Sequence, residues 1–159
     1  MQEAGRAQSR RRGAGVLAED YTGMAAVIGA DTMVVCEGEI FGKPVSLSDA
    51  KRMLRCLSGR THEVLTAVSV WMVAAPEPEN ISLGFRTFVD RSAVTFRELT
   101  DEEIVDYLRK GESFDKAGAY AVQGPEPIWW RVDGAMDTVI GLPVGRLLEE
   151  FPDFAGSAS

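Results

Sequence analysis

The sequence is poor in the residues that most often carry chemistry, with two cysteines and one histidine among 159 residues. Cys36 and Cys56 are too few for a disulfide framework and lack zinc spacing, so both are expected as reduced structural thiols of a cytoplasmic protein. His62 has no second histidine to share a metal and reads as a hydrogen-bonded structural imidazole. No stretch approaches the roughly 20 apolar residues of a spanning helix, so the chain is not expected to cross a bilayer. Ser9-Arg10-Arg11-Arg12 ahead of Met24-Ala25-Ala26-Val27-Ile28 has the outline of a twin-arginine export signal, but Glu19 and Asp20 interrupt it and the apolar run is short. Positive charge is scarce too. Seventeen Lys and Arg against 24 Asp and Glu leave a net charge of −7, and a surface of that sign repels polyanions, which excludes general coating of nucleic acid.

What is present is ordinary globular composition, 45% hydrophobic and 26% charged, in a length that suits one domain. The charge is uneven: Arg6, Arg10, Arg11 and Arg12 outnumber Glu3 at the start. Residues 1–22 lack a sustained apolar period and read as a flexible basic arm, residues 23–152 as a single domain, and residues 153–159 as a disordered tail. Ala26 to Ala30 is a short buried-strand signal that runs into Asp31-Thr32, and Met33-Val34-Val35 and Glu39-Ile40-Phe41 flank the turn-like pair Glu37-Gly38. Ser46 to Asp49 has capping-box spacing, followed by the helical stripe Ala50, Met53, Leu54 and Leu57, with Gly59 as a stop. His62 to Ala75 is rich in β-branched residues and reads as a long strand. Leu83 to Phe96 should return antiparallel to it. Thr100 to Glu103 is a second capping box, opening a helix that Gly111 ends, and Pro143 is placed to open a terminal helix. Strands mixed with helices give an α/β or α+β domain with a mixed twisted sheet.

Asp31, where an apolar strand gives way to Thr32, either stands at a sheet edge where it can hold Mg²⁺ or orient water, or caps a turn. Lys43, in Gly42-Lys43-Pro44, returns to the same end of the sheet as a point charge for phosphate, or is a solvated turn lysine. Arg60 suits either a phosphate clamp or a cation at a helix C-terminus. Asp115-Lys116-Ala117-Gly118 puts two opposite charges before small residues of the kind that close backbone approach selects. The pair could serve metal and phosphate, or be a surface ion pair. Gln123 offers donor and acceptor together, fit for a base edge or for a turn. Trp129 and Trp130 face opposite sides of any strand they share, so at most one could stack on a ligand.

Taken in order, Ala30-Asp31-Thr32, Gly42-Lys43-Pro44, Asp49-Ala50, Met53-Leu54, Leu57-Ser58-Gly59-Arg60, His62, Val64, Thr66 and Val68 resemble the Maf family. So do Tyr107, Asp115-Lys116-Ala117-Gly118-Ala119-Tyr120, Val122-Gln123-Gly124 and Val139-Ile140-Gly141-Leu142-Pro143, which carry the likeness to about residue 148. The resemblance implies an elongated mixed α/β fold similar to the inosine-triphosphate pyrophosphatases. It also implies hydrolysis of a nucleoside triphosphate to monophosphate and pyrophosphate with a divalent cation, Mg or Mn. By it Asp31 is the proton acceptor, Lys43, Asp115 and Lys116 are cleft residues, Asp31 and Asp115 are metal ligands, and Thr32 and Gln123 choose the base. The Asp-Lys-Ala-Gly and Gln-Gly forms resemble the branch that acts on dTTP and UTP, and a homodimer is expected on the same ground. The family's opening strand and Ser-x-Ser-Pro-Arg-Arg segment have no counterpart before Asp31, and Ala135 and Thr138 replace the family's usual Ser and Asn. The chain is therefore expected to be an N-terminally truncated member, with a weak or non-catalytic nucleotide- or partner-binding module as the alternative.

Overall fold

The computed structural model describes residues 23–77, 80–111, 114–123 and 127–155. The proposed arm at 1–22 lies outside them. The elements run β1 (Gly23–Cys36), β2 (Glu39–Phe41), α1 (Leu47–Leu57), β3 (Thr61–Glu77), β4 (Asn80–Phe96), α2 (Asp101–Arg109), a 3-10 turn (Ala117–Ala119), β5 (Trp129–Asp133), α3 (Met136–Ile140), α4 (Val144–Glu150) and a second 3-10 turn (Pro152–Ala155). The five strands form one sheet in the order β2-β1-β3-β4-β5. Pairing is antiparallel at β1–β2 and β4–β5. This is an α/β fold of a sheet flanked by helices.

Two compact units divide the chain. One takes residues 1–29 and 69–86, the other residues 30–68 and 87–159. The span 23–152, expected as one domain, thus contributes to both. In the smaller unit Val70 and Val73 are buried, while Trp71 and Phe85 stack at 5.0 Å on its surface and Ile81 and Leu83 are also exposed. The larger unit holds the helices and the main core.

Local chemistry accounts for that core. Glu37 and Gly38 both take positive φ, 51° and 83°, the geometry of a two-residue hairpin turn whose twist matches its strands. The turn sets Val34 opposite Phe41, and both side chains are buried. Ser46 Oγ accepts from Asp49 N–H at 3.1 Å to start α1, although the Asp49 carboxylate reaches Val45 N–H rather than the cap's own, so the box is half made. Ala50, Met53, Leu54 and Leu57 then bury one face. Thr100 and Glu103 complete both bonds of their box, and Ile104 and Leu108 pack into the same core, which also takes Phe96, Ala119 and Tyr120.

Three expectations are refined. Asp31 and Thr32 do not end a strand but lie inside the continuous β1. A short helix, Met136–Ile140, occupies a stretch to which the sequence assigned no element. Pro152–Ala155 forms a 3-10 turn that runs into the stretch expected as tail, with Phe154 stacked on Phe151 at 5.1 Å. Of the adjacent tryptophans, Trp130 is exposed and falls at an irregularity in the β4–β5 register, while Trp129 is half-buried and packs on the core.

Leu54 is fully buried at the centre of the α1 stripe. Leu54→Ala should cost about 2–5 kcal/mol, whereas Trp130→Ala should stay within about 0.5 kcal/mol. Urea unfolding of the two variants checks the assignment of the core.

Candidate active site

A cavity of about 650 Å³ opens in the larger unit, and Asp31, Thr32, Lys43, Asp115, Lys116 and Gln123 all line it. That volume lies within the usual range for small-molecule sites. Residues separated by up to 92 positions of sequence thus share one hollow (Asp31 and Gln123 being the extremes). Arg60 and His62 do not line it. Arg60 pairs with Glu37 at 3.0 Å and donates to the Cys56 carbonyl at 3.1 Å, near the end of α1. Gly124, the partner of Gln123 in its motif, is outside the described residues.

Backbone geometry brings the three polar segments together. Gly118 N–H donates to the Gly42 carbonyl at 3.0 Å, which ties the Asp115-Lys116 segment to the residue before Lys43. Gly118 has φ +69, and a Cβ there would stand 3.1 Å from Val34 Cγ2 and 3.3 Å from Tyr120 Cε1. Both the left-handed backbone and the close approach to β1 favour glycine. Ala119 follows at φ +60, an uncommon conformation for a residue with a side chain, and is completely buried. The next stretch is pinned by side chains: Tyr107 Oη accepts from Ala121 N–H at 2.9 Å, and Trp129 Nε1 donates to the Val122 carbonyl at 2.9 Å.

On β1, Asp31 Oδ1 accepts from Thr32 N–H at 3.1 Å, leaving Oδ2 for another partner. Lys116 Nζ lies 3.8 Å from Asp115 Oδ1, both side chains well exposed, so this pair adds little to stability and stays available to a ligand. Lys43 and Lys116 are the cations among the described lining residues. The described residues contain no cluster of three or more His, Cys, Asp or Glu able to hold a metal by themselves. Two cavity carboxylates, an all-oxygen donor set, do suit a Mg²⁺-type ion that takes most of its ligands from water and substrate phosphate.

Two groups bordering the site were not singled out for it by sequence. Thr66, buried on β3, touches the Thr32 hydroxyl at 2.9 Å. Thr138, buried on α3, donates through its hydroxyl to Asp90 Oδ2 and accepts from Thr66 through its carbonyl. The available signal was a hydroxyl amid the alternating inward residues His62, Val64, Thr66 and Val68, since a buried polar side chain needs partners. The apolar wall from Val64, Val139 and Ile140 left no polar signal.

Beneath the cavity, His62 Nε2 lies 2.9 Å from Tyr120 Oη, and Nδ1 has no partner. This bond is the imidazole's one hydrogen bond among the described residues, and either ring nitrogen or hydroxyl can be its donor. Burial pushes His62 down to about 4 and raises the Tyr120 hydroxyl. Burial likewise raises the Cys36 thiol, helped by Glu37. Both cysteines are free, and Cys36 Sγ contacts the Cys56 carbonyl at 4.0 Å.

A sheet-and-helix fold with carboxylates, lysines and a glutamine converging on one hollow defines an α/β protein with a polar cleft. A family model described as Maf-like protein matches residues 3–154, and the chain belongs to that family. It is similar to a dTTP/UTP pyrophosphatase of Lachnoclostridium phytofermentans, 42% identical over 139 residues that cover 87% of this chain and 68% of the relative. It is also similar to proteins of that name from Bacillus cereus, 44% identical over 80% of this chain and 63% of the relative, and Bacillus anthracis, 43% identical over the same shares. The chain spans about two thirds of the length of these curated relatives. Among the described residues no helix is long and apolar enough to cross a membrane.

Because folding holds His62 neutral while the unfolded chain protonates near 6.5, the unfolded state binds the extra proton between those values. Stability from this group is therefore complete above about pH 6.5 and lost as pH falls toward 4, by about 3 kcal/mol. Urea midpoints measured from pH 7 to 4 should fall more steeply for the parent than for His62→Gln, and equal slopes would refute the assignment.

Proposed function

We propose that this chain hydrolyses pyrimidine nucleoside triphosphates, dTTP and UTP, to the monophosphate and pyrophosphate. The observation that carries the reading is the convergence of Asp31, Lys43, Asp115, Lys116, Thr32 and Gln123 on one cavity, in a chain similar to proteins named for that activity. In this reading a water attacks the α-phosphorus, forming one P–O bond as the bond to the bridging oxygen breaks. Asp31, its Oδ1 held by Thr32 N–H, takes the water's proton through Oδ2, and pyrophosphate departs with the bond's electron pair. Lys43 and Lys116 stabilise the charge that accumulates on the leaving group, which is the largest demand in such a reaction. A divalent cation, Mg²⁺ or Mn²⁺, held by Asp31, Asp115 and the substrate's own phosphates would supply further charge neutralisation. Thr32 and Gln123 read the base.

Two lysines are modest provision for three phosphates. That favours, as a second reading, a module that binds nucleotide and turns it over weakly or not at all. Pyrophosphate release from UTP and dTTP with Mg²⁺ separates the two. If the first holds, Asp31→Asn should lower kcat by about 10²- to 10⁴-fold with little change in folding. Comparable turnover by variant and parent would remove Asp31 from the mechanism, and a folded, nucleotide-binding but inert parent would favour the second reading.

A further inference from the structure

Thr66 is completely buried on β3, and its hydroxyl makes two hydrogen bonds. One partner is the Thr138 carbonyl at 2.7 Å, and the other is the Thr32 hydroxyl at 2.9 Å. A carbonyl oxygen only accepts, so the single hydrogen on Thr66 Oγ1 is committed to Thr138. Thr66 can then meet Thr32 only as an acceptor, which obliges Thr32 to donate its own hydrogen inward. Thr32 lines the cavity, and what its hydroxyl has left for a ligand is lone pair alone. The origin of this chain of donors is itself held in place. Thr138 is completely buried, and its side-chain hydroxyl donates to the Asp90 carboxylate, which anchors the residue whose carbonyl sets the direction of the whole series.

We propose that Thr66 is a specificity-positioning residue that fixes Thr32 as an obligate hydrogen-bond acceptor. The cavity thereby takes pyrimidines whose ring nitrogen carries a hydrogen, the imide N3–H of uracil and thymine, and disfavours cytosine, whose N3 presents a lone pair to a lone pair. The proposal rests on the nucleotide-binding reading above and deepens it. A hydroxyl free to rotate would accommodate either base, whereas one whose hydrogen is already spent discriminates, because the wrong base leaves polar groups unmatched in a partly desolvated site.

The test reads binding rather than turnover, by titration calorimetry of the full chain with the non-hydrolysable α,β-imido analogues of UTP and CTP in Mg²⁺. The parent should prefer the UTP analogue by about tenfold or more, corresponding to one well-matched hydrogen bond. Thr66→Val keeps the shape but removes the acceptor, frees the Thr32 hydrogen, and should bring the two affinities within about threefold of each other. Thr66→Ser keeps the hydroxyl and should keep the preference. A thermal melt establishes that each variant is folded. Should Thr66→Val not fold, Thr32→Val against Thr32→Ser provides the same comparison at the cavity wall. A parent without preference, a parent that binds neither analogue, or a preference that survives Thr66→Val (or, in the substitute pair, Thr32→Val) would overturn the proposal. A parent that binds with the expected preference yet releases no pyrophosphate would instead sink the hydrolytic reading and leave this inference standing.

Discussion

The hydrogen bond from Gly118 N–H to the Gly42 carbonyl, with Gly118 lying against Val34, is the constraint on which the candidate site depends. It joins three stretches that are remote in sequence: β1 with Asp31 and Thr32, the residues after β2 with Lys43, and the turn with Asp115 and Lys116. Any side chain at position 118 would have to stand both in a left-handed backbone and within 3.1 Å of a valine methyl. Glycine suits the position on both counts. Once the bond forms, two ammonium groups and two carboxylates share a hollow that no single element could build.

The scaffold beneath this joint is apolar and its surface is ionic, and the two contribute unequally. Val34, Phe41, Leu54, Leu57, Phe96 and Ile104 are almost completely buried and supply most of the stabilisation. Surface pairs are frequent, among them Arg52–Glu39 at 2.6 Å and the two-pronged Arg55–Asp101 contact at 2.9 and 2.6 Å. Arg55 holds the Asp101 carboxyl below the usual range, and the Thr100 backbone together with Arg97 does the same for Glu103. Such exposed pairs are screened by water and salt and add little each. Their effect is positional: Arg55–Asp101 links α1 to the start of α2, the helix whose Tyr107 receives the Ala121 N–H at the cavity wall.

Much of this was legible in the residues. The α1 stripe, both capping signals, the Glu37-Gly38 turn and the two long β-branched strands all follow from local period and chemistry, and the elements stand where those signals put them. What escaped was set by distance in sequence. β1 continues through Asp31 and Thr32 because ladder pairing to its neighbours holds a polar pair in extended form where local pattern points to an end. The five-residue helix Met136–Ile140 has no side-chain cap bond and too few residues to show a period. In the candidate site, charged residues announce themselves while their apolar neighbours do not, so Val64, Val139 and Ile140 become visible as cavity wall only in three dimensions. Thr66 is the intermediate case. Its hydroxyl stands between Val64 and Val68 on the inward face, but nothing local shows that its partners are 34 and 72 positions away.

That interruption has a cost and therefore a meaning. Removing a hydroxyl from water without a partner costs a few kcal/mol, and even a fully bonded one gains only about 1 kcal/mol over hydration, so valine at position 66 would serve the core at least as well. In the Thr32–Thr66–Thr138–Asp90 series every hydroxyl has an acceptor for its hydrogen, and Thr66 Oγ1 receives one as well. Complete polar networks in a core add order more than stability, because a hydroxyl with one fixed acceptor loses the freedom to reverse its dipole. Here the order runs in one direction, from the cavity wall inward to a buried carbonyl whose residue is held separately by its own hydroxyl on a carboxylate. A cleft whose charges supply attraction for any polyphosphate gains from such a series the one thing that charge cannot provide, a fixed hydrogen-bond polarity at the wall.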